Sequence, residues 1–583
     1  MVSVIITDLK KGLYCRKPLV VAMAASVVLL AACGGDGNSD ADGAQVFTKA
    51  QVVYKNGKIL TLDNTDTVAE AVAVEDGKIL KVGTSREMDA YIGSSTNVVD
   101  LGGKTMMPGI YDAHSHFTAM GTWALFDANL NSPPLGPVQN MTQLISLLQE
   151  QKAKIKPDEW ISGVGYDDTL IAEKRHPTRA DLDKVSATQP IVITHVSGHF
   201  SVANSAALAI AGVTAARPAP KGGVIRKDAN GQPNGVLEET AAQLVTAFKP
   251  ALTAAQLSEG IKFAGRYYAS QGVTTANEGA AAASSIEAME KAAQNGTLPI
   301  RVMAWPMLET MEAADKVKLT SGKVKIGGIK DFADGSIQGY TGYLSHPYHT
   351  PFNGDADFKG FPRYDREVLA ARILKVHKAG RQSLIHGNGD QAIDDILYGF
   401  RKAQEQFPRA DARPVVIHSQ MEREDQLDEM KRLGAIPSFF SLHTYYWGDR
   451  HRDIFMGPER AARMSPAKSA KDRGMVFTIH TDTPVVSMEP MRLIWSAVNR
   501  ISTSGQVIGA AQRISPTDAL KATTINAAYQ NFEEKERGSI EEGKWADLVV
   551  LSANPVEVDP MTIKDIKVLK TVVQGKMVYE AVN

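Results

Sequence analysis

Along most of the chain, short apolar runs alternate with longer stretches whose apolar positions recur at helical spacing. The runs at 105–111, 273–276, 300–304, 324–329, 383–385, 415–417, 436–439 and 476–479 read as buried strands, with helical stretches such as 284–293 and 367–379 between most of them. Eight strands with helices between them predict an α/β fold, specifically a (β/α)8 TIM barrel. Several of the strand starts step by about 30 residues, the length of one strand-helix unit in such a barrel.

Two intervals are longer than one unit. The first, after the opening strand, predicts an insertion at about 120–260, with strand-like segments at 160–165 and 191–194. The second holds the Gly-, Tyr-, His- and Pro-rich stretch 339–360, placed where a lid or specificity loop would sit. Before the barrel, 52–54 and 59–62 flank Asn56-Gly57, and 71–74 and 79–82 flank Asp76-Gly77, so both read as hairpins. The segments 547–551 and 568–578 are also strand-like. The expected organisation is therefore a small β-sandwich built from 48–104 and 531–583, with the barrel at 105–530 between them.

The start of the chain reads differently. Lys10, Lys11, Arg16 and Lys17 precede fifteen uncharged, mostly apolar residues at 18–32, the pattern of a signal peptide and too short for a spanning helix. The following Leu30-Ala31-Ala32-Cys33-Gly34 resembles a bacterial lipobox, which implies a signal peptide at 1–32 and a lipid anchor on Cys33. Residues 33–47 read as a flexible tether. The expected location is the cell envelope, with outer-membrane sorting suggested by Gly34.

Composition narrows the chemistry. Basic and acidic residues number 64 and 65, for a net charge of −1, so no nucleic-acid partner is expected. The only cysteines are Cys15 and Cys33, both in the leader, which excludes cysteine catalysis from the folded part. Metal ligands must then be histidine, carboxylate or modified lysine.

His114 and His116 lie two apart after the first strand, where residues share a face and can hold one metal. His386 and His418 each end another strand, and His480-Thr481-Asp482 follows the eighth. Metal-type ligands at the C-terminal ends of four strands predict a metal site at the barrel mouth.

These residues sit in PGIYDAHSHF, GVGYDDTLIAEKRHPTRADLDKVS, SGHFSVANSAAL, KDFADGSIQGYTGYL, LIHGNGDQAIDDIL, VVIHSQ, HTDTPV and GSIEEGKWADLVVL. The set resembles the amidohydrolase superfamily and, within it, the N-substituted formamide deformylase-like branch, over nearly all of the chain from about residue 48. The resemblance implies hydrolysis of a carbon–nitrogen bond by metal-activated water, on a small-molecule substrate. It implies two divalent metals, zinc first, with Mn, Fe or Co able to occupy the same ligands. His114 and His116 would bind the more buried metal, and His386 and His418 the second. Lys330 would be a carboxylated bridging ligand, with Asp334 its rival. Asp482 would be metal-linked carboxylate and general base. His199, Asn204, Tyr166 and Asp167 are candidate substrate contacts, and a homodimer is possible. Ester or lactone hydrolysis, and a binding lipoprotein without turnover, are the alternative functions.

Overall fold

The computed structural model describes residues 47–582, so the expected leader and nearly all of the tether lie outside the described residues. Two arcs of parallel strands form the centre. The first runs, in spatial order, Ile110–Tyr111, Val273–Ala281, Arg301–Pro306 and Val324–Ile326. The second runs Ile329–Phe332, Ser383–Gly387, Val415–His418, Ile436–Phe439 and Thr478–Ile479. A parallel bridge between Met307 and Lys330 joins the arcs on one side. On the other, the Asp482 N–H donates to the His114 carbonyl oxygen at 3.2 Å and the His116 N–H to that of Thr483 at 2.7 Å.

The expected strand 324–329 is two strands, broken at Gly327-Gly328. A Cβ on Gly328 would lie 2.3 Å from Leu384 Cδ1 and 2.7 Å from the Gln382 carbonyl oxygen. The chain bends there, and Ile329–Phe332 joins the second arc with Lys330 opposite Leu384. The expected strand 105–111 is divided as well. Thr105–Pro108 pairs with Lys58–Leu60 and Leu548–Leu551, and the chain enters the first arc only at Ile110.

Helices pack outside the arcs. Thr253 caps the helix Ala254–Ser270, which buries Ile261, Ala264 and Tyr268 and ends two residues before Gly272, at φ +83°. The strand Val273–Ala281 follows directly, so this helix fixes where that strand begins.

Residues 128–239 form a mixed six-stranded sheet in the order Gly223–Lys227, Pro233–Glu239, Phe200–Ala203, Ile191–His195, Ile161–Tyr166, Ala128–Asn129. At the ends of the chain, a six-stranded sheet combines early strands with Leu548–Leu551, Val568–Val573 and Lys576–Glu580. It shares an apolar core with the four-stranded sheet of 52–100, through Tyr54, Val72 and Ile79 against Met106, Leu548 and Val572.

The first expected hairpin does not form. Asn56, at φ +59°, turns the chain so that Val52–Lys55 pairs in one sheet and Lys58–Leu60 in the other. The second forms, with Ala71–Glu75 antiparallel to Lys78–Gly83 and positive φ at both Asp76 and Gly77. Among the described residues, no helix is long and apolar enough to cross a membrane.

Candidate metal centre

The turn after Ile110–Tyr111 is fixed before its histidines are placed. Asp112 accepts from the Ser115 hydroxyl and, at 3.1 Å, from the Asn277 N–H, and the Tyr268 hydroxyl donates to Ser115 Oγ at 2.9 Å. His114 and His116 leave this turn with ring centroids 5.2 Å apart. The His114 Nδ1–H donates to Asn277 Oδ1 at 3.3 Å, and its Nε2 lies 3.2 Å from Lys330 Nζ and 3.3 Å from Asp482 Oδ1. The His116 Nδ1–H donates to the Gly279 carbonyl oxygen at 2.9 Å, and its Nε2 lies 3.6 Å from Asp482 Oδ1.

The second arc repeats the pattern. The His386 Nε2–H donates to the Gly335 carbonyl oxygen at 3.0 Å, leaving Nδ1 3.0 Å from His418 Nε2. His418 Nδ1 lies 3.2 Å from His480 Nε2, and His480 Nδ1 lies 2.9 Å from Ser438 Oγ. Asp482 Oδ2 is 4.0 Å from His418 Nε2, so one carboxylate faces both histidine pairs. Each of the four imidazoles therefore has one nitrogen tied outside the centre and one turned inward, as metal-binding histidines do.

Burial keeps these rings neutral, which leaves their inward lone pairs free. It pushes His116 down to about 4 and holds His114, His386 and His418 well below the ordinary histidine value. The His114 side chain is 1% exposed and that of His116 29%, against 4% for His386 and for His418. The backbone is strained where ligands leave the strands, with φ +75° at His418 and +54° at Asp482.

Lys330 is fully buried, with no carboxylate within ion-pair distance among the described residues. Burial pushes its amine down against the opposing pull of Asp482 and Asp331. Burial pushes the Asp482 carboxyl up against the Lys330 charge, and Asp482 Oδ1 has no hydrogen-bond partner. A partnerless buried oxygen among inward imidazole nitrogens is the donor set a divalent cation requires, so these residues fit the metals the sequence implies. Asp334, the rival for Lys330, is otherwise engaged. It accepts the backbone N–H groups of Asn388, Gly389 and Tyr343 at 2.8–3.0 Å, and its role is to hold the loops around His386.

The inserted sheet brings His199 to this centre, its ring 5.0 Å from that of His386. Glu239 sits 2.9 Å from His199 Nδ1. Burial opposes charge on this ring, but the Glu239 carboxylate outweighs it and raises the imidazole above its ordinary value.

Of the three other expected contacts, Asn204 and Tyr166 are engaged inside the insertion, while Asp167 lines a cavity beside Trp447 and Tyr446. Asn204 is a correction: it is fully buried, caps the helix Ser205–Ile210, accepts from Ile191 and Ala207 and donates to Ser186 and Gln189. No hydrogen-bonding capacity remains for a substrate. Tyr166 is buried with its hydroxyl 3.1 Å from His176 Nδ1. Asp167 pairs with Arg450 at 2.7 Å and accepts from Thr169, joining the insertion to the 448–450 helix.

Glu278 accepts the Thr118 N–H at 2.7 Å and so anchors the helix Phe117–Phe126 behind His116. Arg175, Arg179 and Arg492 pair with Asp181, Asp228 and Glu489. The 339–360 segment is packed through Tyr340, Tyr348, Phe352 and Phe358, with Phe455 against Tyr340. Two cavities of about 270 Å³ each share Asn131 and Leu135. One reaches Thr483 and Pro484, and the other is lined by Trp447, Tyr446 and Val196. Sequence reasoning missed Asn277 and the orienting role of His480. The position of His480 at a strand end two residues before Asp482 was the available signal.

Residues 97–579 match the amidohydrolase family. The chain belongs to that family. Among its relatives are YtcJ of Bacillus subtilis, 28% identical over 91% of this chain and 99% of its own length, and the N-substituted formamide deformylase of Arthrobacter pascens, 27% identical over 90% and 97%. Among solved structures, an uncharacterized metal-dependent hydrolase from Pyrococcus horikoshii superposes with a TM-score of 0.69 at 23% identity, covering 87% of this chain and 99% of that one. That last likeness is one of fold.

Proposed function

We propose that this amidohydrolase-family chain cleaves a carbon–nitrogen bond of an amide, N-formyl or N-acyl compound, using two divalent metals, zinc first. The two parallel arcs are read as one (β/α)8 barrel carrying the inserted sheet after its first strand, and the two end sheets as a sandwich. The observation that carries the functional reading is the set of four outward-tied, inward-facing imidazoles around Asp482 and Lys330.

His114 and His116 would hold one metal and His386 and His418 the other. Lys330 would bridge as its carbamate, since a buried amine pushed toward neutrality can add carbon dioxide and lose a proton, becoming an anionic oxygen ligand. When bound, such metals acidify water and polarise a carbonyl. Asp482, its carboxyl raised by burial, takes a proton from the attacking water and returns it to the leaving nitrogen. His199, whose imidazole Glu239 raises above its ordinary value against the pull of burial, faces the same space and supplies a hydrogen bond to substrate oxygen. The adjoining cavities, with Trp447 and Tyr446 in one wall, suit a small substrate with an apolar group. The leader reading extends the proposal to an envelope lipoprotein anchored through Cys33.

Elemental analysis of the full chain beside His386→Ala tests this. At least two zinc-like ions per chain, with fewer in the variant, support it, and N-formyl and N-acyl amines are then screened against esters. Trace metal in both proteins, unrestored by zinc with bicarbonate, overturns the two-metal reading. Turnover of esters or lactones alone overturns the bond assignment.

A further inference from the structure

A second group of ligand-type side chains lies in the inserted sheet. Asp167 and Asp168 follow the strand Ile161–Tyr166, His195 ends the neighbouring strand Ile191–His195, and His176 comes from the loop between them. Ligand atoms of Asp167, Asp168 and His195 lie within 4.8 Å of one another. His195 Nε2 is 3.1 Å from Asp168 Oδ1, and His176 Nε2 approaches Oδ2 of the same carboxylate at 3.6 Å.

The outer nitrogens of both rings are engaged. His195 Nδ1 lies 2.8 Å from Ser197 Oγ and accepts the Ser197 N–H at 3.2 Å, and His176 Nδ1 lies 3.1 Å from the Tyr166 hydroxyl. Both rings turn Nε2 toward Asp168, which His195 Nε2 meets at hydrogen-bond distance. Metal–ligand bonds of about 2.0–2.1 Å at a tetrahedral ion put donor atoms roughly 3.3–3.4 Å apart. The observed 3.1 and 3.6 Å bracket that spacing, as do the 3.3 and 3.6 Å between Asp482 and His114 and His116.

Charge points the same way. Arg450 neutralises Asp167, but Asp168 has no lysine or arginine within ion-pair distance among the described residues. The Asp168 side chain is 20% exposed, which leaves a path for a cation.

We propose that Asp168, His176 and His195 form a second, separate binding site for a zinc-like divalent cation in the inserted sheet, with Asp167 adding negative charge beside it. Two imidazoles and a carboxylate favour zinc over magnesium or calcium. The site also bears on the catalytic centre, and this consequence rests on the function proposed above. Ser197 Oγ, which meets His195, also accepts the His199 N–H at 3.2 Å. A cation on His195 therefore steadies the turn that delivers His199, which makes His195 a positioning residue.

The full chain is crystallised with zinc chloride alone, and anomalous density is measured at the zinc edge. A peak between Asp168 and His195 is expected, separate from any peak at His114 and Asp482. No peak in the inserted sheet overturns the proposal, whatever the catalytic centre shows, and a peak there with none at the catalytic centre overturns only the two-metal function. Metal content of Asp168→Asn is the second measurement. A loss of about one ion per chain relative to wild type is expected, with His386→Ala showing its loss independently. Equal content in Asp168→Asn and wild type also overturns the proposal.

Discussion

Asn277 takes part in the catalytic centre without facing its interior. Its Oδ1 accepts from His114, and its Nδ2 donates to the Met303 carbonyl oxygen at 3.1 Å, so a fully buried amide fixes the orientation of one imidazole. Removing such an outer partner lowers metal affinity by about 10–100-fold. Asn277→Ala should show that loss in a chelator competition, with activity recovering in excess zinc. Unchanged affinity would mean that stacking on Trp305, with ring centroids 5.6 Å apart, suffices to hold His114. Glu422 shows the same low-dielectric interior acting on stability. It is fully buried, and burial pushes its carboxyl up to about 8 against the pull of Ser419 and Arg473. The folded state thus keeps a proton that the unfolded chain releases above about 4.5, so this group's contribution is lost as pH rises from there through 8. The slope is about 1.4 kcal/mol per pH unit. Glu422→Gln should remove it, gaining on wild type in denaturant midpoint from pH 5 to 8. A gap that stays constant with pH would show that Glu422 is ionised in the folded protein.

At the scale of elements, the break at Gly327-Gly328 decides which arc carries Lys330. Alanine at 328 places a Cβ against the backbone of Gln382 as well as Leu384, and backbone cannot swing away. Gly328→Ala should cost about 1–3 kcal/mol in denaturant unfolding and reduce bound metal, because Lys330 lies two residues on. Full stability would show that the bend has slack. This element also marks what could be read from sequence. The strand starts at 273, 383, 415 and 436 were legible because each opens a short apolar run that a helix or turn follows. The divisions at Gly109 and Gly327-Gly328 were not legible, because an apolar run reads the same whether it stays in one sheet or crosses into another. His114, His116, His386, His418 and Asp482 could be singled out by their place at strand ends. Asn277 could not, since nothing local separates an amide that orients a histidine from one that only fills a strand. Asn204 misled for a related reason: the same Asn before a helix serves as a cap, and its burial is a tertiary property.

At the scale of the whole molecule, the proposed ligands come from both arcs, so the catalytic centre exists only when the arcs are assembled. A metal that binds only the folded state stabilises it by about 4 kcal/mol at a free concentration a thousand times its Kd. At about 2.1 cal/mol/K per residue, a chain of 583 residues unfolding cooperatively would shift its Tm by roughly 3 °C for that energy. Chelation should therefore lower the Tm by a few degrees per site, and zinc should restore it. If the inserted sheet holds its own cation, the shift has two separable parts. Asp168→Asn should retain the part belonging to the catalytic centre, and His386→Ala the part belonging to the insertion. Metal bound by adventitious surface groups would leave the same chelation shift in both variants and in wild type, because neither substitution removes those groups. The comparison of the two variants thus distinguishes built sites from surface binding without requiring the substrate to be known.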